Sequence, residues 1–353
     1  MHGGRLVDYE FATGRSREEL IDFSANLNPL APPESVHKAI ARSLRRVQEY
    51  PDPLSRRLRT AFSTHVGTSY EEVFAANGAS EVIDLFLRAL QPKRVLVLEP
   101  SFSEYAHAAK RSHLATVSIA MPADFSLPST EMIEQLQKGD VIILNTPHNP
   151  SGRFYSRSEL AIIYEAVREK DAYALIDEAF IDFVDEGEQQ SSIPLINEHL
   201  MVVRSFTKMY GIAGLRLGFG IGSKKMVEMV QGMRDGWSVN VVAEEAGLAA
   251  LHDYTFAAQT RDWLREERVY CMDRLQAMNG VTVYPSAANF LLVNGIAAGL
   301  NVSKWQERLL ALGLFVRNCD SYGTFSSGVF RMAILLRRQN EQLLDALALE
   351  LGR

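Results

Sequence analysis

The stretch SFTKMYGIAGLRLGF, residues 205–219, sets Lys208 directly behind Ser205 and Thr207 and eight residues ahead of Arg216. Most lysines are solvated surface residues, but this one follows an apolar run and precedes another that is rich in glycine. Partial burial lowers a lysine's pKa and makes its amine a nucleophile able to form a Schiff base. The hydroxyls of Ser205 and Thr207 and the permanent charge of Arg216 suit a phosphate nearby.

An aldehyde that carries a phosphate would use every one of these groups, and pyridoxal phosphate is such a molecule. Other points along the chain add to this chemistry. Asp177 ends the apolar run YALID, and an acid there is costly unless it meets a cation or a donor. Taken alone it reads equally well as half of a structural ion pair; beside a pyridine ring it would hold the ring nitrogen protonated. Asn77-Gly78-Ala79-Ser80 separates a predicted strand from a predicted helix, which points free N–H groups and a hydroxyl at one spot, although a serine cap is common there for structural reasons alone. NTPHNPSG, residues 145–152, has two X-Pro steps and a glycine, so it reads as a rigid turn from which Asn149 offers an amide.

The elements that position these residues follow from periodicity. Leu54, Leu58 and Phe62, then Ile83, Phe86, Leu87 and Leu90, repeat at helical spacing. Runs such as EEVFAAN, RVLVLEP, ATVSIA, DVIILNTP, YALIDEAF, LMVVRSF and LRLGFGIG read as strands, with helices predicted near 103–112, 130–137 and 158–169. Strands apolar throughout, separated by helices, predict an α/β fold with a mostly parallel sheet covered on both faces. Chemistry then belongs at the strand ends, where Asp177 and Lys208 lie. A long helix is predicted over 241–275. The short strands VTVYP, NFLLV, LFVRNC and VFRMAIL, a helix over 303–312 and a terminal helix striped by Leu343, Leu344, Leu347 and Leu351 make a smaller α+β unit. The expected division is an N-terminal segment 1–45 that joins the small unit and the site, a large domain 46–245 and a small domain 246–353.

With 353 residues, 47% of them hydrophobic and 23% charged, the chain has the ordinary make-up of a globular protein of two domains. A net charge of −6 argues against a general nucleic-acid binder. Arg45-Arg46 and the Arg56, Arg57, Arg59 cluster read as solvated helix faces. No apolar run is long enough for a membrane span and no signal peptide is evident, so neither membrane nor export is expected. Cys271 and Cys319 are too few for a disulfide framework and fit a cytoplasmic setting. The eight histidines follow no metal-binding spacing, so no metal is expected; His148 alone lies near the predicted cofactor, as a neighbour of Asn149.

In order, NGAS, PSF, NTPHNPSG, IDEAF, SFTK and GLRLGF resemble fold-type I pyridoxal-phosphate enzymes of the aspartate aminotransferase superfamily, over nearly the whole chain. The resemblance implies that Lys208 bonds the cofactor aldehyde and that Asp177 pairs with its ring nitrogen. It implies that Asn149 binds the phenolic oxygen, that Phe102 stacks on the ring, and that Gly78, Ala79, Ser80, Ser205, Thr207 and Arg216 hold the phosphate. Tyr50 in QEYPDP would reach the cofactor phosphate of a neighbouring subunit, which implies a homodimer, and Arg331 in VFRMAI would clamp the substrate α-carboxylate.

Within that superfamily MHGG, IDFSANLNPLAPP, QEYPDP, DEAFIDF, RSFTKMYGIAGLRLG and WSVN resemble the threonine-phosphate decarboxylase family of cobalamin biosynthesis, a sibling of the histidinol-phosphate aminotransferases. This implies a small phosphorylated amino acid as substrate and (R)-1-amino-2-propanol O-2-phosphate as product. His2, Gly3, Asn26 and Asn149 become substrate ligands, with Arg317 on the substrate phosphate. Phe180 in DEAF stands where aminotransferases of this branch usually carry a tyrosine that donates to the phenolic oxygen. An aminotransferase is the rival reading, and it would need an oxo-acid. A nucleotide-binding dehydrogenase is disfavoured because GFGIG continues a strand and lacks the GxGxxG turn. A non-enzymatic ligand sensor is disfavoured by the retained lysine and by the lack of any DNA-binding appendage in the sequence.

Overall fold

The computed structural model describes residues 3–352. Its strands are β1 Ile21–Asp22, β2 Val73–Ala76, β3 Arg94–Glu99, β4 Ala115–Ala120, β5 Val141–Asn145, β6 Tyr173–Asp177, β7 Leu200–Ser205, β8 Gly218–Ile221, β9 Thr282–Val283, β10 Phe290–Asn294, β11 Leu314–Phe315, β12 Arg317–Asn318 and β13 Val329–Ala333. A seven-stranded sheet runs in the order β2-β8-β7-β6-β5-β3-β4. Its members are parallel except β8, which is antiparallel to both of its neighbours. Every residue of β2, β5 and β7 is buried, as strands covered by helices on both faces require.

Register carries this sheet into function. Asn145 lies beside Asp177, so the ends of β5 and β6 are level. Because β8 runs backwards, its first residue, Gly218, faces both Ala76 at the end of β2 and Ser205 at the end of β7. Gly78, just beyond β2, and Arg216, just before β8, are thereby brought together.

A second, antiparallel sheet has the order β12-β13-β10-β9, and β1 pairs in parallel with β11. The run LFVRNC is therefore two strands: Leu314–Phe315 bond the N-terminal segment, Val316 joins them, and Arg317–Asn318 bond β13. One apolar cluster runs from Phe219 on the large sheet, with Phe62 of the helix Arg56–Val66 stacked on it, to Trp305, Phe330 and Leu344 around the small one. Among the described residues no helix is long and apolar enough to cross a membrane.

Two expectations are corrected. The helix predicted over 241–275 is two helices, Val241–Leu251 and Phe256–Gln276. Asp253 sits at the break, where its carboxylate accepts from Ser35 Oγ at 2.7 Å and Thr255 Oγ1 at 3.2 Å, bonds that compete with helix continuation. Arg59, read as solvated, is buried: Nε donates to the Val73 carbonyl at 2.7 Å and Nη2 to the Tyr70 carbonyl at 3.0 Å. It adds side-chain donors to backbone carbonyls at the approach to β2. Sequence reading also passed over the helix Leu6–Thr13, which buries no residue.

Candidate active site

A cavity of about 440 Å³ opens where the strand ends of the large sheet meet the small sheet and the N-terminal segment. Lys208 lies in the four-residue helix Phe206–Met209 that follows β7, and its side chain lines this cavity. Burial, helped by the charges of Arg331 and Arg216 and opposed by Asp177, brings its pKa down to about 8. Neutral amine is therefore accessible near physiological pH.

Asp177 closes β6 inside the same cavity. Its Oδ1 accepts from the Ala179 N–H at 2.9 Å and its Oδ2 from the Tyr105 hydroxyl at 2.7 Å. Burial raises its pKa, an effect these two hydrogen bonds partly offset. Tyr105 is itself buried and was not foreseen; a buried tyrosine must place its hydroxyl somewhere, but only the fold reveals where. Phe102, three residues earlier, lines the cavity with its ring edge-on to Tyr105, the centroids 5.5 Å apart. Phe180 also lines it, its ring at 75° to that of Phe290.

A cradle for an anion forms at the β2–β8 end. Ala79 and Ser80 open the helix Ala79–Leu90 and line the cavity together with Ser205, Thr207 and Arg216. Ser205 Oγ and Thr207 Oγ1 are 2.7 Å apart. Arg216 has a left-handed backbone, φ 60°, unusual for a residue with a side chain. Gly78 has φ 82°, and a Cβ there would lie 2.5 Å from Arg216 Nη2, so only glycine lets the guanidinium lie this close to the helix N-terminus. N–H groups, two hydroxyls and a guanidinium thus converge as a phosphate requires.

The opposite wall comes from the small sheet and the N-terminus. Arg317 and Arg331 are paired residues across β12 and β13, and both are buried. Paired residues project to one face, where like charges repel. Arg331 Nη2 donates to the Ser24 carbonyl at 2.8 Å, and Nη1 donates to Asn149 Oδ1. Its Nε has no partner among the described residues, and neither has Asn26 Oδ1. Arg317 Nη2 donates to Ser321 Oγ at 2.8 Å, and the guanidinium lies 5.3 Å from the Tyr322 ring centroid. Gly3 and Asn26 line the cavity, as do Ser24 and Tyr322, which sequence reading missed.

Tyr50 stands apart: it is 82% exposed and packs on Trp237 at 5.2 Å, with no place in the lining of its own cavity. His2 lies outside the described residues. His148 is buried beside Ser151 Oγ at 2.8 Å and belongs to the packing under the turn, away from the lining. Behind the cavity the buried Arg204 faces Glu178, Asp182 and the half-exposed Glu188 at 3.1, 3.0 and 2.8 Å, a network that ties β6 to β7 one residue from Asp177 and Ser205.

The donor set fits pyridoxal phosphate. A depressed-pKa amine, an anion cradle, an aromatic ring in Phe102 and a buried carboxylate that forms no ion pair among the described residues lie around one cavity.

Comparisons with known proteins agree. The family model "Aminotransferase class I and II" matches residues 18–347. The threonine-phosphate decarboxylase of Salmonella typhimurium is 34% identical over 98% of this chain and 95% of its own length. The histidinol-phosphate aminotransferase of an Anaeromyxobacter species is also 34% identical, over 93% of this chain and 90% of its own. The solved histidinol-phosphate aminotransferase of Clostridium acetobutylicum superposes with a TM-score of 0.87 at 26% identity, covering 94% of this chain and 99% of that one.

Proposed function

The chain belongs to the class I and II aminotransferase family, and from that premise we propose that it is a pyridoxal-phosphate-dependent carboxy-lyase. The substrate of this reading is L-threonine O-3-phosphate, and the products are CO2 and (R)-1-amino-2-propanol O-2-phosphate, in cobalamin biosynthesis. The observation that carries it is the pairing of Arg317 with Arg331 on one face of the small sheet. Two buried cations directly opposite each other call for two anionic groups on one small ligand, a carboxylate for Arg331 and a phosphate for Arg317. The decarboxylase relative, similar over nearly the full length of both chains, points the same way.

When bound, the cofactor supplies an electron sink for the bond that breaks at the substrate Cα. Ala79, Ser80, Ser205, Thr207 and Arg216 hold its phosphate, with Gly78 leaving room for Arg216. Asn149, its Oδ1 occupied by Arg331, would offer its amide N–H to the phenolic oxygen, and Phe102 would cover the ring. Asp177, steadied by Tyr105, keeps the proton on the ring nitrogen. Arg331 and Arg317, with Asn26 and the N-terminal Gly3 and His2, set how the substrate is rotated about its N–Cα bond. That orientation decides whether the carboxylate or the Cα hydrogen departs. Lys208, whose amine lines the cavity, would be the acid that gives Cα a proton after the carbon–carbon bond has broken. Phe180 offers no hydroxyl to the phenolic oxygen, in keeping with a departure from amino transfer.

Tyr50, exposed and outside its own cavity, is read as completing the phosphate site of a second copy in a homodimer, and the buried, unpaired Cys271 and Cys319 suit a reducing cytoplasm. The test is to incubate cofactor-loaded protein with L-threonine O-3-phosphate alone and measure CO2. Turnover without an oxo-acid supports the proposal; no CO2 with conversion of the cofactor to its amine form overturns it in favour of an aminotransferase.

A further inference from the structure

We propose that Ser24 is a positioning residue that seats the N-terminal Gly3-Gly4 segment at the cavity and aims Arg331 at the substrate carboxylate, so that both parts of the substrate site depend on one side chain. The identity of the ligand rests on the function proposed above; the coupling itself rests on geometry. Ser24 Oγ accepts from the Gly4 N–H at 3.0 Å and donates to Asp22 Oδ1 at 2.5 Å, while the Ser24 N–H donates to the same oxygen at 2.7 Å. These bonds hold the Ser24 peptide so that its carbonyl receives Arg331 Nη2 at 2.8 Å. The anchorage extends to both sides: the Phe23 N–H donates to the Phe315 carbonyl at 2.9 Å, and the Ala333 N–H, two residues beyond Arg331, donates to the Phe23 carbonyl at 2.8 Å.

Gly3 lies so close to this carbonyl that a Cβ would stand 2.0 Å from the Ser24 oxygen. A side chain at position 3 must therefore displace either the segment or the carbonyl that holds the arginine. Asp22 adds charge to the arrangement. It is half-buried, its Oδ2 has no partner among the described residues, and burial raises its pKa against the lowering by the Ser24 hydrogen bonds and, less, by the charge of Arg331. Segment, serine and arginine form a continuous chain of contacts.

The test uses cofactor-loaded protein. In Ser24→Ala the Gly4 amide exchanges its hydrogen about tenfold faster, because one hydrogen bond has gone. KM for L-threonine O-3-phosphate rises by about the same factor, and kcat falls with it because Arg331 also sets the orientation of the bond that breaks. Ser24→Thr keeps the hydroxyl and restores both readouts. Gly3→Ala leaves the Ser24 side chain intact and repeats both effects, which decides the matter alone should threonine not fit. Unaltered Gly4 exchange in Ser24→Ala, or faster exchange with unaltered KM, overturns the proposal. If the unaltered protein releases no CO2 from this compound, the proposed function fails but the coupling is still decided. Gly4 exchange and the absorbance change on titrating the same compound then serve as readouts, and a Ser24→Ala protein with unchanged affinity sinks it.

Discussion

Lys208 concentrates the chemistry at the scale of single residues. Its pKa of about 8 in the fold lies below the 10.5 of an unfolded lysine. Only the neutral amine attacks an aldehyde, so the rate at which cofactor-free protein captures pyridoxal phosphate should rise with pH through a midpoint near 8, read as growth of yellow absorbance. The same shift has a stability sign. Between these two values the unfolded chain holds a proton that the fold has lost, so cofactor-free protein gains stability as pH rises through that window. Lys208, Asp177 and Asn149 were legible in the sequence because each is a polar group set where apolar strands end, and such groups need a reason. Tyr105 and Ser24 gave no such sign. A tyrosine on a helix and a serine in a loop are unremarkable until the fold brings them to Asp177 and Arg331.

At the scale of elements the β12–β13 pairing matters most. Two guanidinium groups held opposite each other repel, and an anion bound between them would relieve that repulsion. Inorganic phosphate should therefore raise the thermal midpoint of the cofactor-loaded protein, and should raise that of Arg317→Met distinctly less, by differential scanning fluorimetry. The network behind the site makes a second prediction. Arg204→Met leaves the buried Glu178 and the largely covered Asp182 without their cation, a loss of about 3 kcal/mol in urea unfolding at pH 8. Burial already raises the Asp182 pKa to about 6, so protonation relieves the acids and the loss is smaller at pH 5. Apolar runs and their spacing made nearly every strand of the large sheet legible. The break at Asp253 and the division of LFVRNC at Val316 were not, because each depends on a partner distant in sequence, Ser35 in one case and β1 in the other.

For the whole molecule, the proposed role of Tyr50 in completing the phosphate site of a second copy carries its own prediction. Tyr50→Ala and Lys208→Ala each impair the site in a different way. In a mixed dimer one site has Lys208 from one subunit and Tyr50 from the other, so half of the sites in half of the randomly mixed dimers are whole. Unfolding and refolding the two variants together should return roughly a quarter of the wild-type turnover, well above either alone. Recovery no greater than the sum of the separate proteins would mean that each site is built from one chain.

The cofactor-facing groups descend from the ends of the large sheet, whereas Arg317, Arg331, Asn26 and Gly3 come from the small sheet and the N-terminal segment. For a lineage this separation is an opportunity. Mutation can try new ligands on one wall of the cavity while the bond-making machinery on the other is inherited unaltered, so a change of substrate need not begin with loss of the catalyst. Asn149, which touches both walls through Arg331, binds the two inheritances together.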